Sequence, residues 1–250
     1  MIMKRILYII QFVLYIALVS CGNRTKDNKT QRDTIPMQPC PAFVAENAMA
    51  TIEAQCQLGP RVPGTQAWKA CGDSIVAWFT DLGLTVTEQQ TTVKRYDGTD
   101  YPCRNITASL HPDNRDRILL CAHWDSRPWA DNDPDEANHK KPVPAANDGA
   151  SGVAVMLELA RILAAADSIR TGIDFVCFDA EDAGHPQWDE RDDEETGEGG
   201  WCLGSRYWSE QAFAQNYQAR FGILFDMVGG RGSTFSREGF SLQYAQPVTD

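Results

Sequence analysis

The stretch IDFVCFDAED, residues 173–182, decides the fold class. Apart from Asp174 it is apolar through Phe178, as a buried strand is, and then breaks into Asp179, Glu181 and Asp182. Two other stretches share that form: ILLCAHWDS (118–126), which ends in His123 and Asp125, and GILFDMVGG (222–230), which ends in Asp226. Such polar residues do not belong in a core. Between these runs lie helical patterns, so apolar strands alternate with helices. That order predicts an α/β three-layer sandwich, with a mixed, mostly parallel twisted sheet between helices. Ligand chemistry in such folds sits beyond the carboxyl ends of the strands, where these acids fall.

Working outward, the run 149–166 carries Val153, Met156, Leu157, Ala160 and Leu163 at helical spacing. Asp148 stands in the loop that opens it. Helices are also expected over 45–57, over 65–82 with Thr65 as N-cap and Gly83 as terminator, and over 205–214. Further strands are expected over 84–93, 105–110, 117–123 and 221–227, with a long loop over 124–147. The acidic run WDERDDEETGEGG (188–200) has a net charge of −6 and reads as a solvated loop; its spacing fits no EF-hand.

The chain has 250 residues, 43% hydrophobic and 23% charged, which is a globular composition large enough for one sizeable core. Its net charge of −11 argues against a nucleic-acid partner, because phosphate contacts need clustered Lys and Arg. Lys4 and Arg5 precede an apolar run from Ile6 to Val19, too short for a comfortable membrane span, so residues 1–20 read as a signal peptide. The junction LVSC (18–21) resembles a bacterial lipobox, which would make Cys21 the lipidated first residue of an envelope lipoprotein anchored in a membrane. Residues 21–40 then form a polar tether, and 41–250 the folded domain. Of the eight cysteines, Cys121 and Cys177 lie in strand-like runs and are expected to be buried thiols. No CxxC spacing points to a cysteine-based zinc site.

One histidine and several carboxylates at one sheet edge suit a divalent metal, and zinc accepts both imidazole nitrogen and carboxylate oxygen. The pair Glu181-Asp182 allows one acid to bind metal while its neighbour moves protons.

The segments HWDSRP (123–128), AANDGASGVAVMLELAR (145–161), FDAEDAG (178–184) and LFDMVGG (224–230) resemble the motifs of the zinc-dependent exopeptidases, a family that includes leucyl-type aminopeptidases and glutaminyl cyclases. The resemblance spans about residues 44–244. It implies Asp148 and Asp182 as zinc ligands and Glu181 as general acid/base. It also implies a third ligand, a histidine near the end of the family's domain. None follows Asp226 here, so the chain reads as C-terminally truncated. His123 would bind metal only if a second ion does. The family usually has Glu where Asp182 stands.

GPRVPGT (59–65), NITASL (105–110), WCLGSRYW (201–208) and LFDMVGGRGSTF (224–235) are similar to glutaminyl-cyclase segments. That branch implies one zinc ion and peptide or protein substrates with N-terminal glutamine. It also implies Asp226 as a holder of the reacting amine and Trp188 as a wall of the substrate pocket, though a tryptophan packing on its own core fits Trp188 equally. The alternatives are a zinc aminopeptidase of the same fold and an inactive lipid-anchored binding protein.

Overall fold

The computed structural model describes residues 41–189 and 200–249. The expected signal peptide, Cys21, the tether and most of the acidic run lie outside these. From Ala42 onward the chain forms one compact unit. Its elements are α1 (Ala45–Gln57), α2 (Gln66–Asp81), β1 (Thr85–Lys94), β2 (Asp100–Leu110), β3 (Arg117–His123), α3 (Ala150–Ala164), β4 (Gly172–Phe178), α4 (Leu203–Ala214) and β5 (Gly222–Leu224). Two short helices, α5 (Gly239–Tyr244) and α6 (Gln246–Thr249), follow.

Local chemistry sets several of these boundaries. The Thr65 hydroxyl accepts the Trp68 amide at 3.2 Å as the N-cap of α2. Gly83, at φ 82°, takes the left-handed turn that ends the helix. The β1–β2 turn is tied by Asp97, whose carboxylate accepts the Thr99 amide at 3.1 Å. That hairpin starts β2 at Asp100, five residues before the apolar pattern suggests, because pairing with β1 carries Pro102 and Arg104 into the sheet.

The sheet order is β1-β2-β4-β3-β5. It is mixed as expected, but not mostly parallel. β3 pairs parallel with β4 and β5, whereas β2 pairs antiparallel with β1 and β4. The short β1–β2 connection forces that pair antiparallel, since a tight hairpin can only join antiparallel strands. β5 is also shorter than the expected 221–227. After Leu224 the backbone turns over the start of α3, where the Ser151 hydroxyl accepts the Val228 amide at 3.1 Å and the Asn147 side chain accepts the Gly229 amide at 2.8 Å.

Alternation along the strands makes three layers. Ile106, Ala108, Leu120, Ala122, Ile173, Phe175 and Cys177 face α2 and α3, meeting Ile75, Phe79, Val153 and Met156. Cys121, Val176 and Phe178 face the other way, toward Trp208 of α4. β4 is buried along its whole length, so its sequence is apolar nearly throughout. α1 packs on α3, outside the first layer. Gly152 lets α3 approach closely: a Cβ there would fall 2.1 Å from the Phe225 carbonyl. Cys121 and Cys177 are buried free thiols; Cys56, Cys71, Cys103 and Cys202 are free as well. No described helix is long and apolar enough to cross a membrane.

Candidate metal centre

Parallel pairing puts His123 opposite Phe178, so β3 and β4 end at the same level and release their polar residues together. His123 is 1% exposed. Its Nε2 lies 2.8 Å from Asp148 Oδ1 and 3.7 Å from Asp226 Oδ1. Its Nδ1 lies 3.4 Å from Asp125 Oδ1. Asp148 arrives from the loop before α3, and Asp226 from the turn after β5.

Asp125 organises the edge. It is buried, and its two oxygens accept the backbone amides of Glu181 at 3.1 Å and Asp182 at 3.2 Å. It thus holds the Glu181-Asp182 pair and the imidazole from one point. Behind it, buried Asp179 accepts the Arg104 amide at 2.7 Å, the Ala180 amide at 2.8 Å and the Trp68 indole N–H at 2.9 Å. Carbonyls of residues 179–181 in turn accept amides of Cys202, Leu203 and Gly204, docking the start of α4.

Ligand atoms of His123, Asp148 and Asp182 lie within 4.8 Å of one another, and so do those of His123, Glu181 and Asp226. The chain thus brings Asp148, Glu181, Asp182 and Asp226 together, and it adds His123 to both groups. Trp188 lies against another aromatic ring. Its ring meets Trp129 edge-on at 6.1 Å and borders a cavity of about 470 Å³ with Glu136, Ala137, His139 and Lys140. None of the four clustered acids lines that cavity.

The charges are unbalanced. Burial raises the Glu181 pKa; His123 opposes that shift, while Asp125, Asp226 and Asp148 add to it. Burial, with Asp125 next, pushes Asp182 up to about 7. Burial disfavours the His123 imidazolium, yet hydrogen bonds with Asp125, Asp148 and Asp226 hold its pKa well above the ordinary value. Asp226 is lowered, mainly by its bond to His123. Five carboxylates around one imidazole favour added positive charge, and a His/carboxylate donor set fits zinc.

Sequence reasoning counted Asp125 among the strand-end acids without a role of its own, and assigned none to Asp179 or Arg61. Asp125 was within reach, because an acid two residues beyond a strand-end histidine falls on the same face. Arg61 is fully buried and donates to carbonyls of Trp124 at 3.2 Å, Pro144 at 2.7 Å and Ala145 at 2.7 Å, clasping both ends of the loop that leads to Asp148.

A buried histidine and acids gathered at the carboxyl edge of a mixed α/β sheet define a metal-dependent protein of the zinc-exopeptidase type. The chain belongs to peptidase family M28, whose family model matches residues 105–246. It is 32% identical over 173 residues to Aminopeptidase YwaD of Bacillus subtilis, covering 68% of this chain and 33% of that protein. A glutaminyl cyclase of Bacteroides thetaiotaomicron, solved bound to N-acetylhistamine, is 46% identical, with a TM-score of 0.79 over 84% of this chain and 70% of that one. A Zn-dependent exopeptidase of Parabacteroides distasonis is 43% identical, with a TM-score of 0.79 over 84% of this chain and 70% of that one. The family and these relatives imply zinc as the metal. The chain spans about a third of the length of the curated relatives it matches.

Proposed function

We propose that the protein is a glutaminyl-peptide cyclotransferase, converting the N-terminal glutamine of peptides or proteins to pyroglutamate with release of ammonia. The observation that carries this reading is likeness to a glutaminyl cyclase at 46% identity over 84% of the chain. Glu181, set beside Asp182 in the metal group, is the residue suited to the proton work.

Asp148 and Asp182 would hold one zinc ion, with His123 beside both. Zinc bound there supplies Lewis acidity to the side-chain carbonyl of the glutamine. Glu181, whose raised pKa suits proton exchange, takes a proton from the α-amine as its nitrogen bonds to the amide carbon. The same carboxyl returns the proton to the departing nitrogen as the C–N bond of the side-chain amide breaks, and ammonia leaves. Asp226, kept ionised by its low pKa, accepts a charge-assisted hydrogen bond from the amine. Because attack is intramolecular, much of the gain lies in holding the bent substrate conformer.

The test is ammonia release from a peptide beginning with glutamine, with the same peptide blocked at its amine as control. Release from the free peptide alone is expected. A protein that instead frees the first residue of ordinary peptides is an aminopeptidase. That second reading is favoured by the two donor groups sharing His123, which could seat two ions. We also propose that the mature protein is a bacterial lipoprotein beginning at Cys21; Cys21→Ser should release it from envelope membranes, and N-terminal sequencing that finds another start would refute this.

A further inference from the structure

Arg127, in the loop after β3, lies outside the metal group, yet more contacts converge on it than a surface arginine needs. Its Nε and Nη2 fork onto the two oxygens of buried Asp131, at 2.7 Å and 2.5 Å. Its remaining N–H groups reach the carbonyls of Asp182 at 3.3 Å, Gly184 at 3.5 Å and His185 at 3.2 Å. Asp131 completes the grip by accepting the Gln187 amide at 3.0 Å. The guanidinium also lies 4.6 Å from the Trp201 ring centre and 5.6 Å from that of Trp129.

The Trp201 ring has a second neighbour in the Gly184 backbone. A Cβ on Gly184 would fall 1.9 Å from Trp201 Cε2, so the ring lies directly against that backbone. Trp129, under the same guanidinium, carries Trp188 edge-on. Arg127 therefore holds backbone carbonyls from Asp182 to His185, reaches the Gln187 amide through Asp131, and shares with Arg95, 5.7 Å from the Trp129 ring centre, the aromatic base on which Trp188 rests.

We propose that Arg127, with Asp131, is a positioning residue: it sets the path of residues 182–188, and through it the placement of Asp182 toward metal and of Trp188 toward substrate. It touches neither. Only arginine suits the task, because a lysine ammonium cannot fork onto a carboxylate, stack on a ring and reach several carbonyls at once. The kinetic part of this proposal rests on the cyclase reading above; the geometric part does not.

The experiment compares the full chain with Arg127→Lys, Trp188→Phe and the double variant. In each, cooperative melting, tryptophan emission, zinc affinity by competition with a chelating indicator, and kcat and KM on a glutamine-initiated peptide are measured. Arg127→Lys should keep cooperative melting and lower zinc affinity by about 10-fold or more, as loss of outer-shell support typically does. It should also shift emission in a way absent from the Trp188→Phe background, and raise KM by a larger factor than it lowers kcat. Unchanged zinc affinity together with an unchanged Trp188 signal overturns the proposal, even if the melting temperature falls. If Arg127→Lys does not fold, Asp131→Asn, which keeps size but loses the fork, is judged on the same readouts. If the unaltered protein cyclises no glutamine, the cyclase reading falls, and emission and zinc affinity still decide the brace.

Discussion

At Glu181 and Asp125, adjacent acids do different work because their surroundings differ. Glu181→Gln keeps size and hydrogen bonding but accepts no proton from the amine. Zinc content should persist while turnover falls by about 10²–10⁴-fold, the usual worth of general acid–base help; intact turnover would remove Glu181 from the proton path. Asp125 acts through geometry, since both its oxygens face backbone N–H groups. Asp125→Asn turns one of those acceptors into a donor aimed at a donor. The expected cost is about 1–3 kcal/mol of stability, read by denaturant unfolding, and about 10–100-fold in zinc affinity. A variant as stable and as avid as the parent would show that these two amides need no carboxylate.

Helix α1 holds to the body through a compact polar joint on α3. Glu158 is buried and accepts the Val44 amide at 2.9 Å, the Asn47 side chain at 3.1 Å and the Arg161 guanidinium at 2.8 Å and 2.5 Å. Arg161 first, then Val44 and Asn47, lower the Glu158 pKa from 4.5 to about 2 against the effect of burial. The joint therefore stabilises the fold fully above the unfolded carboxyl pKa, and its contribution fades as pH falls from about 4.5 toward 2. Glu158→Ala should cost about 1–3 kcal/mol at pH 7 by stranding the Val44 amide and Arg161. The deficit relative to the parent should shrink in that acid window, and a deficit constant from pH 7 to pH 3 would contradict this account.

For the whole molecule, the carboxylates at the sheet edge repel one another, and a cation relieves that repulsion only when the chain is folded. Zinc should therefore raise the melting temperature, because a ligand that binds only the native state stabilises it by about 2.7 kcal/mol at a hundredfold excess over Kd. A chelator should reverse the rise, and Asp148→Asn should blunt it. Calorimetric titration counts the ions: one per chain agrees with the cyclase reading, and two favour the aminopeptidase. The clasp of Arg61 on both ends of the 124–147 loop contributes to the same end, since it sets where Asp148 meets His123.

What the sequence by itself determined is local. The apolar periods, the Thr65 cap, the Gly83 stop and the acids placed just past apolar runs made helices α1 to α4, most strands and the acids Asp148, Glu181, Asp182 and Asp226 legible, and the motifs named the family; α5 and α6 were not foreseen. Those signals lie within one or two turns of chain, where spacing and capping act. Tertiary structure alone decided the strand order, the antiparallel half of the sheet, the early end of β5 at Leu224 and the edge-on seat of Trp188 on Trp129. It also decided what Asp125 and Arg127 do. Asp125 accepts amides 56 and 57 positions further along the chain, and Arg127 donates to carbonyls 55 to 58 positions away. Partners so far apart leave no local pattern, because only the parallel pairing of β3 with β4 brings them to the same edge.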